Sequence, residues 1–356
     1  MAKSHDQSRS LLVRIAASEI TWIIVILIAG AVFFFAPKVA SISLTGERNG
    51  DERILFVGDV MLARNVERLM RSEGAYYPFR EVRDLFLEHS AVVGNFEASI
   101  PEKHAPTPMM TFKFSVDAEF IPPLKDVGFT DFSLANNHAY DYGAAGHAHT
   151  QEVLSASGLA SGGNPQTTSI TDLMFREVDG VRIAIIPVNA TYSMLSIASL
   201  EDVFAHARAQ SDMQILYIHW GAEYELRANK AQQAFAHGVI DAGIDAVIGH
   251  HPHVVQNIEV YRGAPIFYSL GNFVFDQYWE ASVREGLTVS ISFDNEYVHY
   301  ALIPVTSSDT RSAPRPMTRA ERTIFLDALA ERSDDSVADA IKNGQVSQLY
   351  DALSAL

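Results

Sequence analysis

The feature that most constrains this chain is a repeated pairing of short apolar runs with polar exits. Each run ends in a small residue, a glycine in most cases, or leads straight into Asp, Asn, Glu or His. Ile54–Val57 leads into Gly58-Asp59, Ala91–Val93 into Gly94-Asn95-Phe96-Glu97, and Phe129–Leu134 into Ala135-Asn136-Asn137-His138. Met213–Ile218 leads into His219-Trp220-Gly221, Ala246–Ile248 into Gly249-His250-His251-Pro252-His253, and Ile266–Leu270 into Gly271-Asn272-Phe273. Short apolar runs bounded by turn residues predict buried strands. Val181–Val188 adds another, and Thr288–Phe293 with Tyr297–Ile303 predicts an antiparallel pair around Asp294-Asn295. Helical patterns lie between them. Met61–Arg71 is one, and Asn229–Ala242 is another, with Asn229 as N-cap and Gly243 as C-cap. This alternation predicts a layered α/β domain rather than a β-sandwich or a helical bundle.

In such a fold, ligands collect beyond the carboxyl ends of the strands. Six exits therefore deliver carboxylates, amides and imidazoles to one rim, with glycines allowing close backbone approach. Carboxylate oxygens can bridge two cations, imidazoles bind metals of the Zn, Mn or Fe class, and an amide oxygen completes a shell. Taken singly, most of these motifs have a plainer account. A Gly-Asp after a strand is commonly a turn, and Asn136-Asn137-His138 reads equally as a capped loop. His250, His251 and His253 are different, because three imidazoles on one glycine-led, proline-containing loop have no packing rationale. The remaining histidines, His5, His89, His104, His147, His149, His206, His237 and His299, fall in predicted helices, linkers or strand surfaces and read as structural.

The amino-terminal head has another character. Ile20–Pro37 is an uncharged run, ITWIIVILIAGAVFFFAP, at the lower edge of the ~17–25 residues that a spanning helix needs. It has no amphipathic face, and a polar, basic leader precedes it. No small-residue cleavage site follows, since cutting after Ala36 leaves Pro37 next and cutting after Ala40 puts Lys38 three positions back. The run therefore predicts an uncleaved anchor. Arg9 and Arg14 before it place the amino terminus in the cytoplasm and the main domain outside. The expected organisation is a leader (1–19), an anchor (20–37), a linker (38–53), a main domain (54–306) and a carboxy-terminal helical appendage (307–356). In the appendage, Arg319–Arg332 and Asp335–Ala355 predict helices, the second broken near Gly344. Charge narrows the partners. The chain carries 27 basic and 43 acidic residues, a net charge of −16; the first 38 residues are net +2, leaving −18 for the rest. That excludes a general nucleic-acid binder, which needs a basic surface to neutralise phosphates. The absence of cysteine excludes disulfides, thiolate metal sites and cysteine nucleophiles.

The ordered motifs are similar to those of the poly-γ-glutamate capsule-synthesis protein family, CapA/PgsA. They are Gly58-Asp59-Val60-Met61, Gly94-Asn95-Phe96-Glu97, Asn136-Asn137-His138 with Asp141-Tyr142-Gly143, His219-Trp220-Gly221, Gly249-His250-His251-Pro252-His253 and Gly271-Asn272-Phe273. The resemblance covers about Ile54 to Pro304. That family resembles calcineurin-like metallophosphoesterases, which implies a two-sheet α/β/β/α sandwich behind a membrane anchor. It also implies two divalent metal ions of the Mn, Fe or Zn class. On this resemblance Asp59 and His253 hold one metal, Glu97 stands where a bridging carboxylate belongs, and Asn137, His219 and His251 hold the other. His138 takes the place of the catalytic imidazole that protonates a leaving oxygen. Asn95, Asn136, Asp141, His250 and Asn272, from the same motifs, are expected to touch substrate or support the ligands. Two departures stand out. Met61 replaces an imidazole on the first strand, and Gly94-Asn95-Phe96-Glu97 replaces the usual second-strand Gly-Asp-x-x-Asp.

Two function classes follow from the resemblance. One is a metal-dependent hydrolase or transferase acting on a phosphorylated substrate at the cell surface. The other is a component of anionic-polymer synthesis or export that holds its chain at the metal-lined rim beside other capsule-synthesis membrane proteins. The −18 exterior repels poly-γ-glutamate, so either role requires local cations.

Overall fold

The computed structural model describes residues 52–349. The predicted leader, the anchor and nearly all of the linker lie outside these residues. No helix among the described residues is long and apolar enough to cross a membrane.

The chain builds one sheet, then a second, then returns to the first. Strands β1 (Ile54–Val60), β2 (Ala91–Phe96), β3 (Asp131–Ser133) and β4 (Ala160–Gly162) pair in parallel in that order. The next six are β5 (Met174–Val178), β6 (Val181–Asn189), β7 (Met213–His219), β8 (Ala246–His250), β9 (Ile258–Tyr261) and β10 (Ala264–Phe267). They form a separate sheet in the order β5-β6-β7-β8-β10-β9, parallel from β6 to β10. The first sheet is then completed by β11 (Asn272–Val274), β12 (Glu285–Phe293), β13 (Tyr297–Thr306), β14 (Arg315–Pro316) and β15 (Gln345–Leu349). Strand β12 lies antiparallel to β1, and β13 antiparallel to β12. Strand β11 adds to β1 in parallel and sets Asn272 opposite Asp59.

Period-two alternation explains the layering, because successive side chains leave a strand on opposite faces. Ile54, Phe56 and Val93 meet Ile183, Ile215, Tyr217 and Ile248 in a core between the sheets. Leu55, Val57 and Val92 face the other way, onto Val66, Met70, Phe86 and Leu124 of the helical layer. Ile186, Leu216 and Val247 do the same on the second sheet, against Phe204, Phe235 and Val239. The result is the two-sheet α/β/β/α arrangement that the resemblance implied. The Lys230–Asp241 helix has a capping box of Asn229 and Gln232. The carboxy-terminal Arg319–Arg332 helix is capped by Thr318 and Glu321, and adds Phe325, Leu326 and Leu329 to the core between the sheets.

Two expected helices are changed by long-range pairing. The first begins at Arg64 rather than Met61. Glu97 N donates to Val60 O at 3.0 Å and Met61 N to Val274 O at 2.9 Å, which holds this stretch in the ladder. The last becomes a short helix, Ala338–Asn343, ended by Gly344 at φ +77°. The chain then enters β15, antiparallel to β13. At the rim itself, Gly58 is required by the close approach of β11, since a Cβ there would stand 2.1 Å from Gly271 O.

Candidate metal centre

The carboxyl ends of β1, β2, β7 and β8 and the loop after β3 meet at one rim. Asp59 and Glu97 are fully buried there, with His219, His250, His251 and His253 buried around them. Asp59 Oδ1 accepts from Asn95 Nδ2 at 2.9 Å and lies 3.2 Å from His250 Nδ1. Asp59 Oδ2 lies 3.4 Å from His253 Nδ1 and accepts the His251 N–H at 3.4 Å. Burial alone would raise the Asp59 carboxyl, but the His250 and His253 imidazoles hold it well below the usual carboxylate range. Glu97 goes the opposite way, pushed well up by burial and by the Asp59 charge. Neither Glu97 oxygen has a hydrogen-bond partner, although Oε1 lies 3.7 Å from His253 Nε2 and 3.8 Å from His138 Nε2.

Burial and mutual proximity set the protonation of the imidazoles. Burial, then the neighbouring His251, holds His219 well below the usual histidine range. Burial and the neighbouring His253 lower His251 to about 4. Both rings are thus neutral at physiological pH, the form that binds a metal. Hydrogen bonds set the tautomers. Asn95 Nδ2 donates to His219 Nδ1 at 3.1 Å, so Nε2 carries the ring proton and donates to Asn137 Oδ1 at 2.8 Å, a proton that a metal at Nε2 would have to displace. Asn272 has its own amide nitrogen committed to Gln277 Oε1 and Val283 O, and presents its oxygen to His253 Nδ1 at 3.0 Å. That leaves His253 Nε2 directed toward Glu97, the kind of outer support that orients metal-binding histidines. His251 and His253 adopt φ of +96° and +58°, a region costly for side-chain-bearing residues and typical of functional loops.

The remaining sequence candidates take supporting places. Asn136 donates to Asn95 Oδ1 and Phe96 O and accepts from His138 N, tying the loop after β3 to β2. His250 is buried against the Tyr217 ring, 4.3 Å between centroids, so it supports Asp59 from behind and does not face a ligand from solvent. His138 is half-buried; its Nδ1 pairs with Asp141 Oδ2 at 2.9 Å, and its ring stacks on Phe114 at 4.1 Å. Met61, where an imidazole was missing, is buried, with its sulfur 3.0 Å from Ala63 N.

Two sets of side chains each have donor atoms close enough to share an ion, Asp59, Glu97 and His219, and Glu223, His251 and His253. Glu223 was missed from sequence. The available signal was its place four residues after His219 on the same Gly221-containing loop. Phe114 was missed too, because its contact with His138 joins distant loops. The donor set fits divalent cations. Two buried carboxyl groups lie next to each other, and both oxygens of Glu97 are left without a hydrogen-bond donor, an acceptor set that a divalent cation would satisfy.

The two sheets and their shared rim define an α/β protein with a candidate divalent-cation centre. The chain belongs to the family described as bacterial capsule synthesis protein PGA_cap, which matches residues 53–277. It is 30% identical over 329 residues to the capsule biosynthesis protein CapA of Bacillus anthracis, covering 86% of this chain and 79% of that one. It is also 30% identical over 307 residues to the PGA biosynthesis protein CapA of Bacillus subtilis, covering 82% and 80%. Among solved structures, a hypothetical protein from Thermus thermophilus aligns with a TM-score of 0.44 at 19% identity, covering 74% of this chain and 98% of that one. That likeness decides nothing, and the architecture rests on the strand pairing described above.

Proposed function

We propose that this protein is a membrane-anchored, exported component of poly-γ-glutamate or related anionic capsule-polymer synthesis, and that its rim is a dinuclear metal centre acting on a phosphoester. Family membership supports the process. The observation that carries the chemistry is Glu97, a buried carboxylate with two unsatisfied oxygens between His138 and His253. By the family pattern Asp59, His253 and Glu97 would hold one cation, and Glu97, Asn137, His219 and His251 the other, a division that cuts across the two geometric groups, Asp59-Glu97-His219 and Glu223-His251-His253. Glu223, beside His251 and His253, adds an oxygen at the rim that offsets the imidazole replaced by Met61. When bound, such cations supply Lewis acidity and an activated water. The chain's own contribution is His138. Asp141 holds Nδ1 and Phe114 fixes the ring plane, so Nε2 is placed to give a proton to a leaving oxygen. Poly-γ-glutamate and the partner membrane proteins of capsule synthesis are the expected cellular context.

Purified full-length protein is expected to retain two equivalents of transition metal by elemental analysis. It is also expected to hydrolyse an aryl phosphodiester in the presence of Mn²⁺, with chelation or Asp59→Asn reducing turnover at least about 100-fold. Absence of metal and of turnover in the wild type would leave a polymer-holding scaffold as the better reading. For the anchor, the uncharged Ile20–Pro37 run behind Arg9 and Arg14 is the support. Protease added to intact spheroplasts is expected to degrade the main domain, and full protection would overturn the topology.

A further inference from the structure

A cleft of about 530 Å³ opens beside the metal centre. One part of its lining is the 109–112 loop, with Met110 88% and Phe112 74% exposed beside the half-exposed Met109. Another part is Tyr224, Tyr278 and Trp279, the last 60% exposed. Large apolar side chains left in water around a concave surface mark a ligand or partner site. The loop is tied down near its ends. Ser99 and Ser115 bridge, and Phe114 packs on His138, so the apolar tip is presented by a fixed base. Trp279 and Tyr224 meet edge to face at 5.5 Å, and Tyr224 lies 6.2 Å from the His253 ring. Through Tyr224, one wall of the cleft lies a single aromatic ring away from a candidate ligand.

Its charge speaks against a polyanion. The charged side chains lining it are Arg64 and Asp276, with Glu223 near Tyr224 and the Arg311 guanidinium 5.2 Å over the Tyr278 ring. The Arg64 guanidinium is paired with buried Asp276 and lies 4.6 Å over the Phe114 ring. No net positive charge remains among these residues to receive successive carboxylates. We infer that this cleft is the subsite for an apolar hydrocarbon substituent of the ester held at the metal centre, with Trp279 and Phe112 as its contact surfaces. This rests on the phosphoester reading above, and implies that the group processed at the centre is something other than the glutamate chain alone.

The test is binding of three probes to Mn²⁺-loaded full-length protein in detergent: methylphosphonate, phenylphosphonate and γ-linked triglutamate. Phenylphosphonate is expected to bind at least about tenfold more tightly than methylphosphonate. In the Trp279→Ala/Phe112→Ser double variant, whose replaced side chains are both exposed, that advantage is expected to fall below about threefold. Methylphosphonate affinity is expected to stay unchanged. Equal affinity of the two phosphonates in the wild type overturns the subsite. So does tight triglutamate binding that the double variant abolishes. If methylphosphonate shows no Mn²⁺-dependent binding, the phosphoester reading fails separately. The cleft then stands only if phenylphosphonate still quenches the fluorescence that Trp279→Ala removes, and no quenching overturns both.

Discussion

Replacing His251 by Ala is expected to strip the centre of metal and of turnover together. His251 stands between the His219 and His253 rings, at 4.8 and 5.9 Å, so its loss removes a donor from the group of Glu223, His251 and His253 and the neighbour that packs on His219 of the other. Supporting residues outside a metal's ligand set already cost about 10–100-fold in affinity when removed, so a ligand should cost at least about 100-fold. Elemental analysis after dialysis reads the metal, and His251→Gly controls for the backbone, since glycine relieves the positive φ without restoring the imidazole. Acid gives the same result by another route. A metal competes with protons for the neutral ring, and His251 in the folded protein takes its proton only near pH 4. Metal retention is therefore expected to hold from neutral pH down to about 5 and to fall below that. Release with a midpoint near 6.5 would mean that burial does not protect this ring.

Replacing His138 by Ala is expected to separate chemistry from metal content. The metal should remain at the wild-type stoichiometry, while turnover falls by roughly 10²–10⁴-fold, the usual contribution of a positioned general acid. Asp141→Asn should fall between, because it removes the charge beside His138 Nδ1 at 2.9 Å and leaves the ring in place. Loss of metal in His138→Ala would make this residue a ligand. Polymer output in cells is the second readout. If both His138→Ala and His251→Ala produce polymer at the wild-type level, the rim is not the working part of the protein.

The sequence was most legible where local pattern and tertiary structure agree. The Asn229 N-cap, the Arg319–Arg332 helix and the strands leading to Asp59, His219 and His251 follow from apolar period and turn chemistry alone. It was less legible where a distant segment decides. Nothing near Val60 and Met61 announces that Val274 will pair there, and the strand pattern of Gln345–Leu349, with only Val346 buried, is too weak to compete with a helical reading. The site shows the same division. Asp59, Glu97 and the 250–253 loop carry their chemistry in their identities. Glu223, exposed on a loop, and Phe114, a lone aromatic, gain meaning only from what they approach.

The placing of β1 between β2 and β12 has a consequence for how the molecule comes into being. Residues that neighbour Ile54–Phe56 on one side are 289–291, more than two hundred positions later, and β11 reaches the Asp59 end of the same strand only from 272 onward. The first strand made is thus among the last to be enclosed. Non-local pairing of this kind slows folding, because loop closure must be met before contacts reward it. A ribosome-bound or partly translocated chain already displays Asp59, Glu97 and Asn137 but has no β11 to lock the first and no His251 to join them. Cation capture is thereby deferred until nearly the whole main domain has emerged. Any cation taken up at the rim would then be drawn from the ions present where folding of the main domain finishes, and not from those met at the start.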